Sequence, residues 1–252
     1  MLFFHHSETV LTMTRYKAAS IHLLLSACVL LGAYFFIGNV WYPGKLFLAA
    51  AGGDLMKLLT GVDLILGPLV MLIIFDSKKK LIKLDIAIVV LFQAGFLMYG
   101  LWSIYTVRPA YIAFVENRFC LVRANEIDSA DLAKVTNPLF KILPHFGPVY
   151  VGTIEPTDKK TREDILFSGF GGMGLQNLPQ YYVPYAEVRQ QILAAAKSSE
   201  QFKGVTAETR DRMQIYEKNH STQPVLFLML INKHVPLIVA VDAKTGDVIE
   251  LL

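Results

Sequence analysis

Long apolar runs separated by short polar stretches fill the N-terminal part of the chain. Three runs, at residues 21–38, 58–75 and 84–104, have about the 20 residues that an α-helix needs to cross the hydrocarbon core of a bilayer. Tryptophan and tyrosine residues, which favour the membrane–water interface, end the first and third runs. The first run is longer than the apolar core of a signal peptide, and no cleavage site of small residues precedes Trp41. The pattern therefore predicts three transmembrane helices.

Basic residues are distributed unevenly around these runs. They precede the first run and fill the loop between the second and third, whereas the loop between the first and second carries only Lys45 and Lys57. The basic residues before the first run are Arg15 and Lys17, and those after the second run are Lys78, Lys79, Lys80 and Lys83. Because short cytoplasmic loops are enriched in Lys and Arg, we expect residues 1–17 to be a cytoplasmic segment and residues 18–107 a three-span transmembrane domain. Residues 108–252 then lie outside the cytoplasm, which is the periplasm in a bacterium with two membranes.

Beyond Arg108, charged and apolar residues mix as in a water-soluble domain, and the segment is long enough to bury its own core. Apolar periodicity and turn residues predict strands at 111–122, 149–151, 225–231, 236–241 and 247–251, and helices at 185–197 and 206–218, the second capped by Thr206. The remainder of 138–152 and the mixed-charge run 157–164 are predicted to be loops. The expected fold is a membrane all-α part with three transmembrane helices plus an α+β periplasmic domain with a C-terminal antiparallel meander.

Signals for catalysis, cofactors and metals are weak. Residues 169–174 satisfy the G-x-G-x-x-G pattern, but residues 175–179 do not begin a helix that could hold a pyrophosphate, so we interpret the segment as a flexible loop. Cys28 and Cys120 lie in and far beyond the first run and are not expected to form a disulfide. The lysines at 78–80 fit membrane topology and lipid head groups better than nucleic acid. We predict no catalytic residues, no cofactor and no metal.

The extreme N-terminus fits none of these elements. Residues 1–12 are a short mixed stretch, and Met13 opens directly into Thr-Arg-Tyr-Lys. Two interpretations stay open: a disordered cytoplasmic extension, or a true start at Met13. The adjacent pair His5 and His6 lacks a nearby third ligand and is not expected to bind a metal.

A carboxylate interrupts the second apolar run at Asp63, between Gly61 and the pair Gly67-Pro68. Because a charge in lipid is costly, Asp63 either anchors the helix at the membrane interface or meets a polar group on another helix, of this protein or of a partner. Pro68 removes a backbone hydrogen bond and predicts a kink, while Gly67 allows close approach of a neighbouring helix. Gln93 is the nearby polar residue of the third run, but we expect it to lie at a different depth. A partner helix is therefore our hypothesis.

A series of short motifs runs through the first half of the chain. They are Arg15-Tyr-Lys17-Ala-Ala-Ser-Ile21-His22-Leu, Trp41-Tyr42-Pro43, Gly52-Gly53, Gly61-Val-Asp63-Leu-Ile-Leu-Gly67-Pro68, Asp85, Gln93, Tyr99-Gly100, Arg108-Pro109 and Asn117-Arg118-Phe119. Together they resemble the type IV pilin accessory proteins of the TfpX/TfpZ family, and the later half resembles that family in outline only. The candidate motif and partner-contact residues are Gly61, Asp63, Gly67, Pro68, Arg108, Pro109, Arg118 and Phe119.

The resemblance implies an inner-membrane protein without enzyme activity that supports one particular pilin before or during pilus assembly. The expected partners are the major type IV pilin, through its transmembrane helix and its periplasmic head, and membrane lipids. The expected function is chaperone-like binding of that cognate pilin, which supports its stability or its assembly into pili. The alternative is a membrane-anchored periplasmic sensor or enzyme that binds a small molecule.

Overall fold

The computed structural model describes residues 13–50, 52–170, 173–220, 222–232 and 237–252. The predictions about residues 1–12, about the centre of the glycine loop at 171–172, and about a strand start at Pro236 lie outside these residues. The chain divides into two compact units. One, the membrane unit, contains the described residues up to Phe35 together with Asp54–Trp102; the other, the sheet unit, contains Phe36–Gly53 and Ser103–Leu252.

Three helices in the described part of the chain are long and apolar enough to cross a membrane, which confirms the predicted spans. The first, Arg15–Trp41, consists of α1 (Arg15–Phe36) and a π-helical turn, Ile37–Trp41. The second, Gly52–Ile74, consists of α3 (Gly52–Gly61), a π-helical turn (Val62–Leu66) and α4 (Gly67–Ile74); the short α2 (Leu46–Ala49) precedes it. The third is α5 (Ile82–Thr106).

The second span begins earlier than the apolar run because its first turn is polar. Lys57 Nζ donates to Asp54 Oδ1 at 2.9 Å, and both side chains are exposed. An ion pair three residues apart supports a helical turn that the unbroken apolar run does not include. Consequently Asp63 lies in the middle of the span and not near its beginning.

The membrane unit buries few residues and exposes many of its large apolar side chains. Ala18 and Ala19 of the first span pack with Met71 and Phe75 near the end of the second. Leucine, isoleucine and phenylalanine side chains point outward from all three spans. This arrangement suits a lipid environment, in which close packing rather than the hydrophobic effect joins helices.

The sheet unit is built on a mixed sheet whose described strands follow the order β4-β3-β1-β2-β5-β6-β7. Their bounds are β1 Pro109–Val115, β2 Arg118–Arg123, β3 Val149–Thr153, β4 Tyr182–Pro184, β5 Val225–Ile231, β6 Leu237–Asp242 and β7 Val248–Leu251. β1 pairs with β3 and β2 pairs with β5 in parallel, and the other pairs are antiparallel. The last three strands form the predicted antiparallel meander, and the unit has the predicted α+β class.

Helices complete the sheet unit. They are α6 Ser129–Leu132, α7 Lys159–Phe170, α8 Arg189–Ala195 and α9 Ala207–Asn219, with 3-10 turns at Ala124–Glu126, Pro138–Phe140, Leu175–Asn177, Pro179–Tyr181 and Tyr185–Val188. Thr206 caps α9 as predicted, since its side chain accepts a hydrogen bond from the Thr209 amide, and Met213 is fully buried.

The prediction of a loop at residues 157–164 is wrong, because α7 begins inside it. Asp158 accepts hydrogen bonds from the Thr161 amide at 2.8 Å and from its hydroxyl at 2.7 Å, which is helix-capping geometry. Lys159 and Glu163 then pair one turn apart. The helix is largely exposed, so it carries no apolar stripe of the kind that signals a helix in a sequence.

Candidate functional site

Asp63 lies inside the membrane unit. It belongs to the π-helical turn Val62–Leu66 and is only 5% exposed. His22 of the first span is close enough to interact with it electrostatically. The carboxylate therefore has a polar neighbour within its own chain.

Gly67, one turn after Asp63, lies where the spans approach each other closely. A methyl group added there would lie 2.7 Å from His22 Nε2 and closer still to Gln93 Nε2. Only glycine leaves room for the two polar side chains. We call His22, Asp63, Gly67 and Gln93 the intramembrane polar cluster.

Gln93 was expected at a different depth from Asp63, but it meets Gly67, one turn after Asp63. Gln93 is near the middle of α5 and touches Gly67, and His22 joins them from the first span. The Nε2 atoms of His22 and Gln93 are buried without a hydrogen-bond partner among the described residues. Sequence reasoning named His22 within a family motif but did not assign it to Asp63, although an ionisable residue in a long apolar run was the available signal.

Backbone geometry at the cluster is irregular in a way that its sequence explains. Pro68 has no N–H to donate to the preceding turn, so a regular α-helix cannot run through it unbroken. The π-helical turn Val62–Leu66 lies immediately before Gly67 and Pro68. Such turns in helices frequently accompany functional positions.

A second group of motif residues meets at the end of the third span, within the sheet unit. The Arg108 guanidinium donates to the Pro144 carbonyl from Nε (3.0 Å) and Nη2 (2.7 Å) and to the Tyr105 carbonyl from Nη1 (2.9 Å). It also lies 3.8 Å from the centre of the Tyr105 ring. Tyr42, fully buried, donates its hydroxyl to the Ile104 carbonyl at 2.9 Å.

Arg108 is 4% exposed, and its charge is held by carbonyl oxygens and an aromatic face. Burial lowers the pKa of the Arg108 guanidinium from its usual value, while Tyr105 and Tyr42 act in the opposite direction. The contacts place Arg108 as a structural junction where the chain leaves α5 and enters β1 at the buried Pro109.

Arg118 and Phe119 occupy neighbouring positions with opposite environments. Phe119 is fully buried and contacts Phe114, Tyr150 and Tyr185, with ring centroids 5.5 to 6.4 Å apart. Arg118 is exposed beside the turn between β1 and β2. Of this pair, only Arg118 can meet a partner directly.

The remaining motif residues of the second span differ in accessibility. A side chain at Gly61 would meet nothing within 4 Å, whereas Gly67 is buried between spans. Pro68 is half-buried. The structure thus brings Asp63 and Gly67 together with His22 and Gln93, and it leaves Gly61 on an open face of the helix.

Other chemistry has little support in the described residues. Among them, no three histidine, cysteine, aspartate or glutamate side chains group closely enough to hold a metal ion. After the glycine loop, Leu175–Asn177 form a 3-10 turn and not the α-helix of a dinucleotide fingerprint.

The membrane-spanning helices and the mixed sheet together define an integral membrane protein with an α+β domain. The chain is 27% identical over 224 residues to the fimbrial assembly protein of serogroup I from Dichelobacter nodosus, with 86% of each chain aligned. It is 27% identical over 183 residues to that of serogroup E1 from the same organism, covering 72% of this chain and 71% of the relative. It is 33% identical over 103 residues to that of serogroups C1 and C2, covering 39% of this chain and 76% of the relative.

The chain therefore belongs to the family of fimbrial assembly proteins, which confirms its resemblance to type IV pilin accessory proteins, and its role is in pilus biogenesis. No family model and no solved structure matches it.

Proposed function

We propose that this protein is an inner-membrane accessory protein that binds a cognate type IV pilin and supports its stability or its assembly into pili. The observation that carries the proposal is the extent of the similarity to the serogroup I fimbrial assembly protein. It covers 86% of this chain, so it includes parts of the membrane unit and of the sheet unit. Because those relatives are named for assembly and not for a reaction, the proposal includes no catalysis.

A pilin offers two surfaces to such a protein. The family resemblance implies a pilin that waits in the inner membrane as one transmembrane helix with a periplasmic head. A protein with membrane spans and a water-soluble unit can contact both parts of it. Two linked contacts, each weak alone, bind more tightly together because the first raises the effective concentration of the second.

Asp63 acts indirectly in this proposal. It is buried beside His22, so its carboxylate is not free to grip a helix of another protein while the three spans are packed. The intramembrane polar cluster instead fixes the arrangement of the spans. The pilin helix then meets their outward faces, on which Gly61 lies open.

The proposed orientation places the N-terminus and the lysines at 78–80 in the cytoplasm and the C-terminus in the periplasm, because basic residues concentrate on one side of the spans. Alkaline phosphatase fused at Ser77 should be inactive, and the same reporter fused after Leu252 should be active. Activity at Ser77 together with inactivity at the C-terminus would reverse the orientation.

Complementation tests the function itself. In a strain lacking the gene, we expect few surface pili at normal pilin transcript levels, and we expect the full chain to restore them. The three spans alone (residues 1–107) should insert but fail to restore piliation, since the sheet unit is missing. Normal piliation in the deletion strain would refute the proposal.

A further inference from the structure

A groove of about 600 Å³ opens in the sheet unit beside the turn between β1 and β2. Arg118, Lys197 and Lys203 line it, and Phe227, Met229 and Ile231 of β5 form an apolar wall. We call this feature the cationic groove. Its residues come from the hairpin turn, from the segment after α8 and from β5, so the fold brings together positions that are far apart in sequence.

The groove exists because two strands separate. The parallel pairing of β2 with β5 covers only Phe119 with Leu230 and Cys120 with Ile231. Before that point β5 bonds instead to Lys197, whose amide donates to the Phe227 carbonyl at 3.0 Å and whose carbonyl accepts from the Phe227 amide at 2.8 Å. The space between these two connections is not closed by a strand.

The charges in the groove are of one sign. Arg118, Lys197 and Lys203 are exposed, and none of them forms an ion pair within the described part of the chain. No described carboxylate lines the groove. Three cations without an ion pair, beside an apolar wall, favour a ligand that carries both carboxylates and apolar side chains.

A neighbouring groove on the other side of the hairpin turn provides a contrast. Arg118 also lines it, but there Glu116, Glu155 and Arg162 accompany it, and Arg162 lies 4.0 Å from Glu155. Its charges largely balance within the protein. Of the two grooves, the cationic groove is therefore the one whose described lining contains positive charges and no carboxylate.

The hairpin turn holds Arg118 in a fixed place. Glu116 has a φ of 55°, a left-handed conformation that residues with a side chain adopt rarely. Directly after Arg118, Phe119 is locked in the aromatic core. A strained turn maintained by its surroundings is a recurrent feature of binding sites.

We propose that the cationic groove binds an acidic, extended segment of the periplasmic head of the pilin. The identification of the pilin as the ligand of this groove rests on the proposed function. An extended segment suits the groove because a strand, β5, forms one wall, so side chains that alternate along the ligand can meet the lysines and the apolar wall in turn.

A labelled peptide tests the chemistry of the groove directly. Full-length protein in detergent micelles is titrated against a fluorescein-labelled peptide of alternating glutamate and valine, with a glutamine–valine peptide as the neutral control. We expect the glutamate peptide to bind at least about tenfold more tightly, and we expect added salt to weaken it. Equal binding of the two peptides, or full displacement by low millimolar inorganic phosphate, would overturn the proposal.

Variants locate the binding. K197E/K203E should reduce affinity for the glutamate peptide by about tenfold or more, and K197Q/K203Q should reduce it less, because repulsion is absent. K160E is the matched control, since Lys160 is exposed and lines neither groove. Unchanged thermal unfolding shows that each variant folds. Peptide binding that survives K197E/K203E, or that K160E weakens equally, would contradict the assignment.

Co-isolation of pilin from membranes separates this inference from the proposed function. Loss of pilin recovery with K197E/K203E but not with K160E supports the groove as the site for the pilin head. Full recovery with K197E/K203E would overturn the inference while pilin binding stands. Failure of the wild-type chain to recover pilin would refute the proposed function, and with it the pilin as partner. The peptide titration would then still test whether the groove binds an acidic peptide.

Discussion

The two units of the chain differ in what they bury and in what they expose. In the sheet unit the most buried side chains are large and apolar, such as Phe114, Phe119 and Phe227. In the membrane unit the buried positions include Ala18, Gly67 and Asp63 beside a few larger ones such as Phe75, and many large apolar side chains point outward. In the sheet unit the hydrophobic effect favours burial. In the membrane unit close packing and polar contacts join the helices, because lipid provides no hydrophobic effect between them.

This difference separates stability from specificity. Removing a buried ring from the sheet unit leaves a cavity and exposes apolar surface on unfolding, so it costs stability. Changing a small or polar residue between spans alters which faces of the helices meet and has a smaller effect on stability. The polar cluster should therefore act on the arrangement of the spans, and the aromatic core on whether the sheet unit folds at all.

The largest effect is expected from Phe119→Ala in the aromatic core. Truncating a fully buried ring should lower the free energy of unfolding of the sheet unit by about 3–5 kcal/mol. Urea denaturation of the full chain in micelles, followed by protease sensitivity, measures it. Phe167→Ala is the control because Phe167 is 74% exposed; a similar loss in that variant would show that burial does not explain the difference.

Gly67→Leu should have the next largest effect, through the membrane unit. The new side chain must displace the ends of His22 and Gln93, and overpacking of this kind costs about 1–3 kcal/mol. Gly95→Leu is the matched control, since nothing lies within 4 Å of a side chain at that position. Resistance to unfolding by sodium dodecyl sulfate reports the change. Equal resistance of the two variants would mean that the spans do not meet at Gly67.

A double-mutant cycle on His22 and Asp63 tests whether these two residues depend on each other. His22→Leu alone leaves the buried carboxylate without its polar neighbour, whereas His22→Leu with Asp63→Leu removes both groups. We expect the double variant to resist detergent unfolding better than the sum of the single variants, with a coupling of about 0.5–3 kcal/mol. Additive effects would mean that His22 and Asp63 do not interact and that the polar cluster is not a coupled unit.

The smallest effect concerns the turn between β6 and β7. Hydrogen bonds from Gln223, and from the amides of Thr245 and Lys244, lower the pKa of the Asp242 carboxyl below its usual value. A group with a lowered folded-state pKa stabilises at pH values above the ordinary Asp pKa of about 3.9, and this contribution is lost as pH falls below it. Asp242→Asn should flatten the decrease in melting temperature with acidification; an unchanged profile would contradict the assignment.

The parts of the fold that sequence predicts well have strong local signals. The spans follow from apolar length, the strands from residue 225 onward from turns and β-branched runs, and α9 from its Thr206 cap. The parts it misses depend on distant contacts or lack an apolar pattern. The parallel pairs β1–β3 and β2–β5 join segments far apart in the chain, and α7 has no apolar stripe.

The candidate site divides in the same way. Asp63, Gly67 and Pro68 are visible as irregularities in an apolar run. Their association with His22 is not, because it depends on how separate helices face each other. Likewise, Phe36–Gly53 contains the end of the first span and the loop that follows it, yet it belongs to the sheet unit, partly through the buried Tyr42.

If both units contact one pilin, co-isolation after crosslinking should detect each of the two contacts. Tagged full-length protein is crosslinked in membranes that contain intact pilin, the pilin transmembrane helix fused to an unrelated head, or the pilin head on an unrelated membrane helix. We expect high recovery of intact pilin and lower, measurable recovery of each half-pilin. Absence of intact pilin from the isolate at equal membrane abundance would contradict this expectation.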